Sequence, residues 1–190
     1  MDRIKQVAVY LGSAVGSKPI FKETAYSIGK ELASRGYSIV YGGAGIGTMK
    51  ALADGALSVD GEVIGVIPQG FVEQIHHKHP NREVLFNELE KVIIVKDMSE
   101  RKQKMEEISD CCIILPGGGG TMDEFFEYFV DHQLGYHSKP MFLMNLNGFY
   151  NPIIDLLETM KVNGFITEEN INYLTVVSSV EELITRIENI

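Results

Sequence analysis

Two short stretches carry the residue types that could do chemistry. One reads P-G-G-G-G-T-M-D-E, in which Gly117, Gly118, Gly119 and Gly120 run into Thr121 and, three residues on, Glu124. The other reads M-S-E-R-K and contains Met98, Arg101 and Lys102. Consecutive glycines let backbone N–H groups approach an anion, and a helix N-terminus behind them adds a favourable dipole. A guanidinium can hold a phosphate or carboxylate through two parallel hydrogen bonds. A carboxylate one helical turn beyond an anion loop could stabilise developing positive charge or orient a water. Each stretch also has a plainer reading. Thr121-x-x-Glu124 is a capping-box pattern, as is Asp97-x-x-Glu100, and Arg101 and Lys102 would then lie on a solvated helix face. Local sequence leaves both readings open.

Two more junctions are rich in glycine. Y-L-G-S-A-V-G-S carries Gly12, Ser13 and Gly16, and Y-G-G-A-G-I-G-T-M-K carries Gly42, Gly43, Gly45 and Gly47. One such turn can be purely steric, but three in one chain point to a phosphate-bearing ligand. The spacing excludes two common ones. G-S-A-V-G-S-K is one residue short of the G-x-x-x-x-G-K-[ST] phosphate loop, and G-A-G-I-G does not reproduce the G-x-G-x-x-G dinucleotide fingerprint. A mononucleotide fits better. His76, His77 and His79 lie together in Q-I-H-H-K-H-P but lack regular metal-ligand spacing, so a polar loop and no metal site is expected.

The elements that must position these residues follow from the apolar pattern. Seven short runs rich in apolar residues recur: QVAVYLG, YSIVYGG, EVIGVIP, KVIIVKD, CCIILPGG, PMFLMNL and LTVVSS. Continuous apolar runs of this length predict strands buried on both faces, as in a parallel sheet. Helical patterns separate them. Phe21, Ala25, Ile28 and Leu32 share one face ahead of Gly36; Asn151-Pro152 reads as a cap and first turn; Ser179 and Glu182 form a capping-box pattern. Strands alternating with helices predict an α/β, Rossmann-like, doubly wound and mainly parallel sheet of about seven strands. No linker or low-complexity segment interrupts it, so residues 1–190 are expected to form one nucleotide-binding domain. Ligands of such sheets bind at the carboxyl ends of the strands near a topological switch point, where the glycine junctions lie.

Composition narrows the partners. A hydrophobic share of 45% and a net charge of -9 suit a packed core and disfavour nucleic acid, whose phosphates need a basic face. No apolar run approaches the ~20 residues of a membrane span, and Val7 to Leu11 is too short for a signal-peptide core. A cytoplasmic protein is expected, with Cys111 and Cys112 as ordinary buried thiols.

Taken together and in this order, the motifs resemble those of the LOG (Lonely Guy) family of cytokinin riboside 5′-monophosphate phosphoribohydrolases, members of which were often labelled lysine decarboxylases. P-G-G-x-G-T-x-x-E preceded by M-x-x-R-K carries the resemblance; Y-G-G-A-G-I-G-T-M-K-A-L-A-D-G-A and Y-L-G-S-A-V-G-S support it, over roughly Val7 to Pro140. The resemblance implies a Rossmann-like homodimer without cofactor that cleaves the N-glycosidic bond of a nucleoside 5′-monophosphate, giving free base and ribose 5-phosphate. It assigns catalysis to Arg101 and Glu124 and the phosphate cradle to Gly117, Gly118, Gly119, Gly120 and Thr121. It assigns substrate contacts to Lys102, Met98, Gly12, Ser13, Gly43 and Gly45. Asp123 and Asp131 are candidates for protonating the leaving base. The chain departs from the family at Gly119, where an aromatic is common, at Asp123 in place of a glutamate, at residues 47–50 and at residues 130–135. No lysine context for pyridoxal phosphate is recognisable. The rival expectation is a carrier, binding a nucleotide or molybdenum cofactor without turnover.

Overall fold

The computed structural model of the chain describes residues 4–71, 89 and 91–190. His76, His77 and His79, expected to form a polar loop, lie outside the described residues. Seven strands form one sheet: β1 (Gln6–Tyr10), β2 (Ser38–Tyr41), β3 (Val63–Pro68), β4 (Lys91–Val95), β5 (Cys111–Ile114), β6 (Met141–Met144) and β7 (Leu174–Val177). Their order is β4-β3-β2-β1-β5-β6-β7, and every pairing is parallel. All seven apolar runs became strands. β3, β5 and β6 are buried throughout, whereas the edge strands are partly exposed, β4 at Lys91 and Ile94 and β7 at Val176.

Helices cover both faces. On one lie α1 (Pro19–Ser34), α2 (Gly47–Leu57) and α7 (Val180–Glu188); on the other lie α3 (Met98–Glu107), α4 (Gly119–Gln133) and α5 (Asn151–Val162). The short α6 (Glu168–Asn172) precedes β7. Alternate strand residues feed the two cores: Val7, Val9, Cys111 and Ile113 point to α1 and α2, while Ala8, Tyr10, Cys112 and Ile114 point to α4. The two cysteines are thus free, buried thiols on opposite faces. Among the described residues no helix is long and apolar enough to cross a membrane.

β1 sits beside both β2 and β5, with Val7 level with Ile39 and Val9 level with Ile113. The chain therefore reverses its direction of winding between β1 and β5. That switch point opens a crevice at the carboxyl ends, flanked by the loops after β1, β2 and β5.

Some expected caps shifted by a residue. α5 is capped at Tyr150, not Asn151, because the Asn145 side chain accepts the Tyr150 N–H at 2.8 Å and starts the helix one position earlier. At α7 the Ser179 hydroxyl accepts the Glu182 N–H, but the Glu182 carboxylate reaches back to the Ser178 N–H rather than to the cap itself. α3 behaves alike: Asp97 accepts from Ser99 and Glu100, and Glu100 accepts the Lys96 N–H.

Candidate active site

A cavity of about 380 Å³ occupies the switch-point crevice. The loop after β1 contributes Gly12 and Ser13, the loop after β2 Gly42 and Gly43, and the turn after β5 Gly118, Gly119, Gly120 and Thr121; Met98, Arg101 and Glu124 close it. Thr48, in the first turn of α2, donates its hydroxyl to the Gly12 carbonyl at 2.6 Å and ties two of these loops together. Gly117 lies behind the turn, facing an adjoining cavity of about 300 Å³.

The Thr121-x-x-Glu124 capping box does not form. Gly118 is the N-cap of α4, in extended geometry and without a side-chain cap, so Thr121 lies three residues into the helix. Glycine reaches that cap geometry without needing a hydroxyl partner. Glu124 is thereby released from capping and turns inward. It accepts a hydrogen bond from Arg101 Nη1 at 2.8 Å, and both side chains are almost fully buried, at 6% and 5% exposure.

Gly42 makes room for this pair. A Cβ there would stand 2.1 Å from Arg101 Nη2, so the guanidinium rests on bare backbone. Burial raises the Glu124 pKa, with the Arg101 charge opposing that rise. A buried ion pair is poor value for stability, because desolvating two charges offsets most of their attraction. Its location in the wall of a cavity accords with function instead.

The glycine turn shows the same bias. A Cβ on Gly118, Gly119 or Gly120 would meet no described atom within 4 Å, and none of the three has positive φ. Nothing among the described residues asks for glycine there, and the bare backbone would let a ligand approach closely.

Two expected contacts lie elsewhere. Lys102 is one residue past Arg101 and so points about 100° round α3, where it pairs with Asp123 at 2.9 Å and with Glu127; it does not line the cavity. Gly45 is buried within the turn after β2 and does not line it either. Asp123 is held by Lys102, and neither it nor Asp131 reaches the cavity wall. Conversely, Ile67 and Phe71, which no sequence motif flagged, join Met49 in an apolar wall. The junction after β3 holds only Gly70 and so lacks the glycine signature of the other three.

A family model described as "possible lysine decarboxylase" matches residues 49–187. The cytokinin riboside 5′-monophosphate phosphoribohydrolase LOG of Oryza sativa subsp. japonica is 36% identical over 187 residues, covering 98% of this chain and 74% of the rice protein. The enzyme of that name from Rhodococcoides fascians is 37% identical over 188 residues, covering 97% of this chain and 90% of its own. The chain belongs to the LOG family. The resemblance seen in the motifs thus extends over nearly the whole of this chain. Its fold is shared more widely. The molybdenum cofactor binding protein of Rippkaea orientalis superposes with a TM-score of 0.69 at 20% identity, covering 100% of this chain and 98% of that one. The molybdenum cofactor carrier of Chlamydomonas reinhardtii does so at 0.70 and 19%, covering 98% of each chain. At such identities the likeness is one of fold. The decarboxylase label finds no support in this LOG-family site, since no described lysine lines the cavity to bind an aldehyde cofactor.

Proposed function

We propose that the chain hydrolyses the N-glycosidic bond of a purine or cytokinin-type nucleoside 5′-monophosphate, releasing the base and ribose 5-phosphate. The observation that carries this is the buried Arg101–Glu124 pair at the wall of a cavity whose floor is a glycine turn open to a ligand. The named activity of the LOG relatives supports it.

In this reading the 5′-phosphate lies on the N–H groups of the turn and the Thr121 hydroxyl, at the N-terminus of α4. The ribose then lies between the turn and the buried pair, and the base against Met49, Ile67 and Phe71. As the bond from C1′ to the base nitrogen breaks, its electron pair leaves with the base, which takes up a proton. The ribose acquires oxocarbenium character. The Glu124 carboxylate faces that charge and accepts a proton from the attacking water, whose oxygen forms the new bond to C1′. Arg101 keeps Glu124 ionised in a dry site and orients the sugar phosphate. Phosphate binding, remote from the breaking bond, positions the sugar.

The test is incubation with AMP and with N6-isopentenyl-AMP, reading free base and ribose 5-phosphate. Release of neither product from any nucleotide sinks the hydrolase. Thermal stabilisation by AMP without products would favour the carrier reading, which the shared fold of the molybdenum cofactor proteins keeps in view.

We further place the protein in the cytoplasm as a homodimer. The free thiols Cys111 and Cys112 fit a reducing compartment. Met122, Phe126 and Val130 stand at helical spacing on the outer side of α4, beside exposed Leu134, as an apolar stripe for a second copy. Light scattering that returns a monomer at micromolar concentration would remove this part.

A further inference from the structure

Beneath the glycine turn lies a buried tyrosine from the far side of the switch point. Tyr150 is 1% exposed, and its hydroxyl donates to the Leu115 carbonyl at 2.6 Å. Leu115 is the last residue before Pro116 and the four glycines, and its own N–H is held by the Tyr10 carbonyl at 2.9 Å. Both backbone groups of Leu115 are thus tied. Beyond the buried Pro116 the chain has no side chain until Thr121, which packs against Gly117: a Cβ on Gly117 would fall 2.1 Å from its Oγ1.

The loop after β6 is shaped to deliver this tyrosine. Asn147 and Gly148 turn the chain with φ of 50° and 74°, and Asn145 accepts the Tyr150 N–H at 2.8 Å while donating to Asn151 at 2.8 Å. The Phe149 ring packs edge-on against the tyrosine, with centroids 4.9 Å apart. Burial first, then the negative charge of Glu124, raise the phenol pKa against an opposing effect of the Gly117 backbone N–H, so the hydroxyl stays a neutral donor.

Four successive glycines are the backbone with most freedom to lose, and ordering them on binding opposes affinity. A turn held at its entrance loses less. We propose that Tyr150 is a positioning residue for the 5′-phosphate: by fixing the Leu115 carbonyl it presets the glycine turn so that its N–H groups converge on the anion. The inference rests on the phosphate-binding reading given above.

The test compares the full-length wild type with Tyr150→Phe, and with Tyr128→Phe as a control buried tyrosine that bonds nothing in the turn. For Tyr150→Phe the KM for AMP and the inhibition constant of ribose 5-phosphate should both rise roughly tenfold, with kcat within about threefold. A merely structural tyrosine would lower the active fraction, and with it the apparent kcat, and leave KM alone. Unchanged KM and inhibition constant in a folded Tyr150→Phe overturn the proposal. Should that variant fail to fold, 3-fluorotyrosine placed at position 150 keeps the hydrogen bond, and its ¹⁹F signal should shift when ribose 5-phosphate is added; no shift overturns it equally. If the wild type binds ribose 5-phosphate but cleaves no nucleotide, the hydrolase fails while Tyr150 is still judged by that binding constant. If the wild type neither binds nor cleaves, both fall.

Discussion

The glycine loops after β2 and after β5 look alike in sequence and differ in what demands the glycine. After β2 the demand is internal. Gly43 has φ of 73° and would press a Cβ to 2.4 Å from Ile67, and Gly47 has φ of 62° with the Ser13 carbonyl 2.2 Å away. After β5, Gly118, Gly119 and Gly120 face open space at ordinary φ. The first loop is glycine because the protein folds around it. In the second no described neighbour demands glycine, which suits the close approach of the phosphate proposed above. Residue type alone does not separate architecture from binding, whereas clearance does.

Substitutions should therefore fail in different observables. The largest effect is expected where the two loops meet, at the buried pair. Glu124→Gln should lower kcat by roughly 10²–10⁴-fold with the fold retained, as removal of a proton-transferring carboxylate does; full activity would remove Glu124 from the chemistry. Next, Gly47→Ala should cost at least roughly 1–3 kcal/mol of stability, seen as a lowered urea midpoint, because alanine must adopt a left-handed backbone against the Ser13 carbonyl. A stable Gly47→Ala would break the comparison on its architectural side.

Gly119→Ala tests the other side. Its urea midpoint should stay within the equivalent of about 0.5 kcal/mol of the wild type, since nothing described is displaced, while its KM for AMP rises roughly tenfold. Loss of stability with unchanged KM would reverse the assignment. The smallest effect is in pH. Burial raises the Glu124 pKa, so kcat/KM should climb with pH through a midpoint above the ordinary glutamate value of 4.5. Because the folded pKa exceeds the unfolded one, the native state holds the extra proton across that window, and stability falls as pH rises through it. Arg101→Ala removes the opposing charge, so any residual activity should show this limb displaced to higher pH. A limb displaced downward would mean that Arg101 does not act on Glu124.

Much of the fold was legible because parallel strands buried on both faces leave uninterrupted apolar runs, as CCII and VIGVIP show. The site was legible as motifs but not as geometry. Thr121 and Glu124 matched a helix cap, and only the extended Gly118 moved the helix start and freed the carboxylate. Arg101 and Lys102 are neighbours with opposite fates, since one residue of helical rotation turns one into the cavity and the other toward the acids of α4. Ile67 and Phe71, the part of the apolar wall at the carboxyl end of β3, carried no motif at all.

By itself the sequence determined the α/β alternation, the three glycine junctions and the family to which the chain belongs, because periodicity and motif order are properties of the chain taken in line. Only the tertiary structure decided that Arg101 meets Glu124 across 23 residues, that Lys102 does not line the cavity, and that Tyr150 reaches back 35 residues to the entrance of the glycine turn. Those contacts depend on the sheet order that brings β5 beside β1, and on which way each helix is turned when its apolar side is buried.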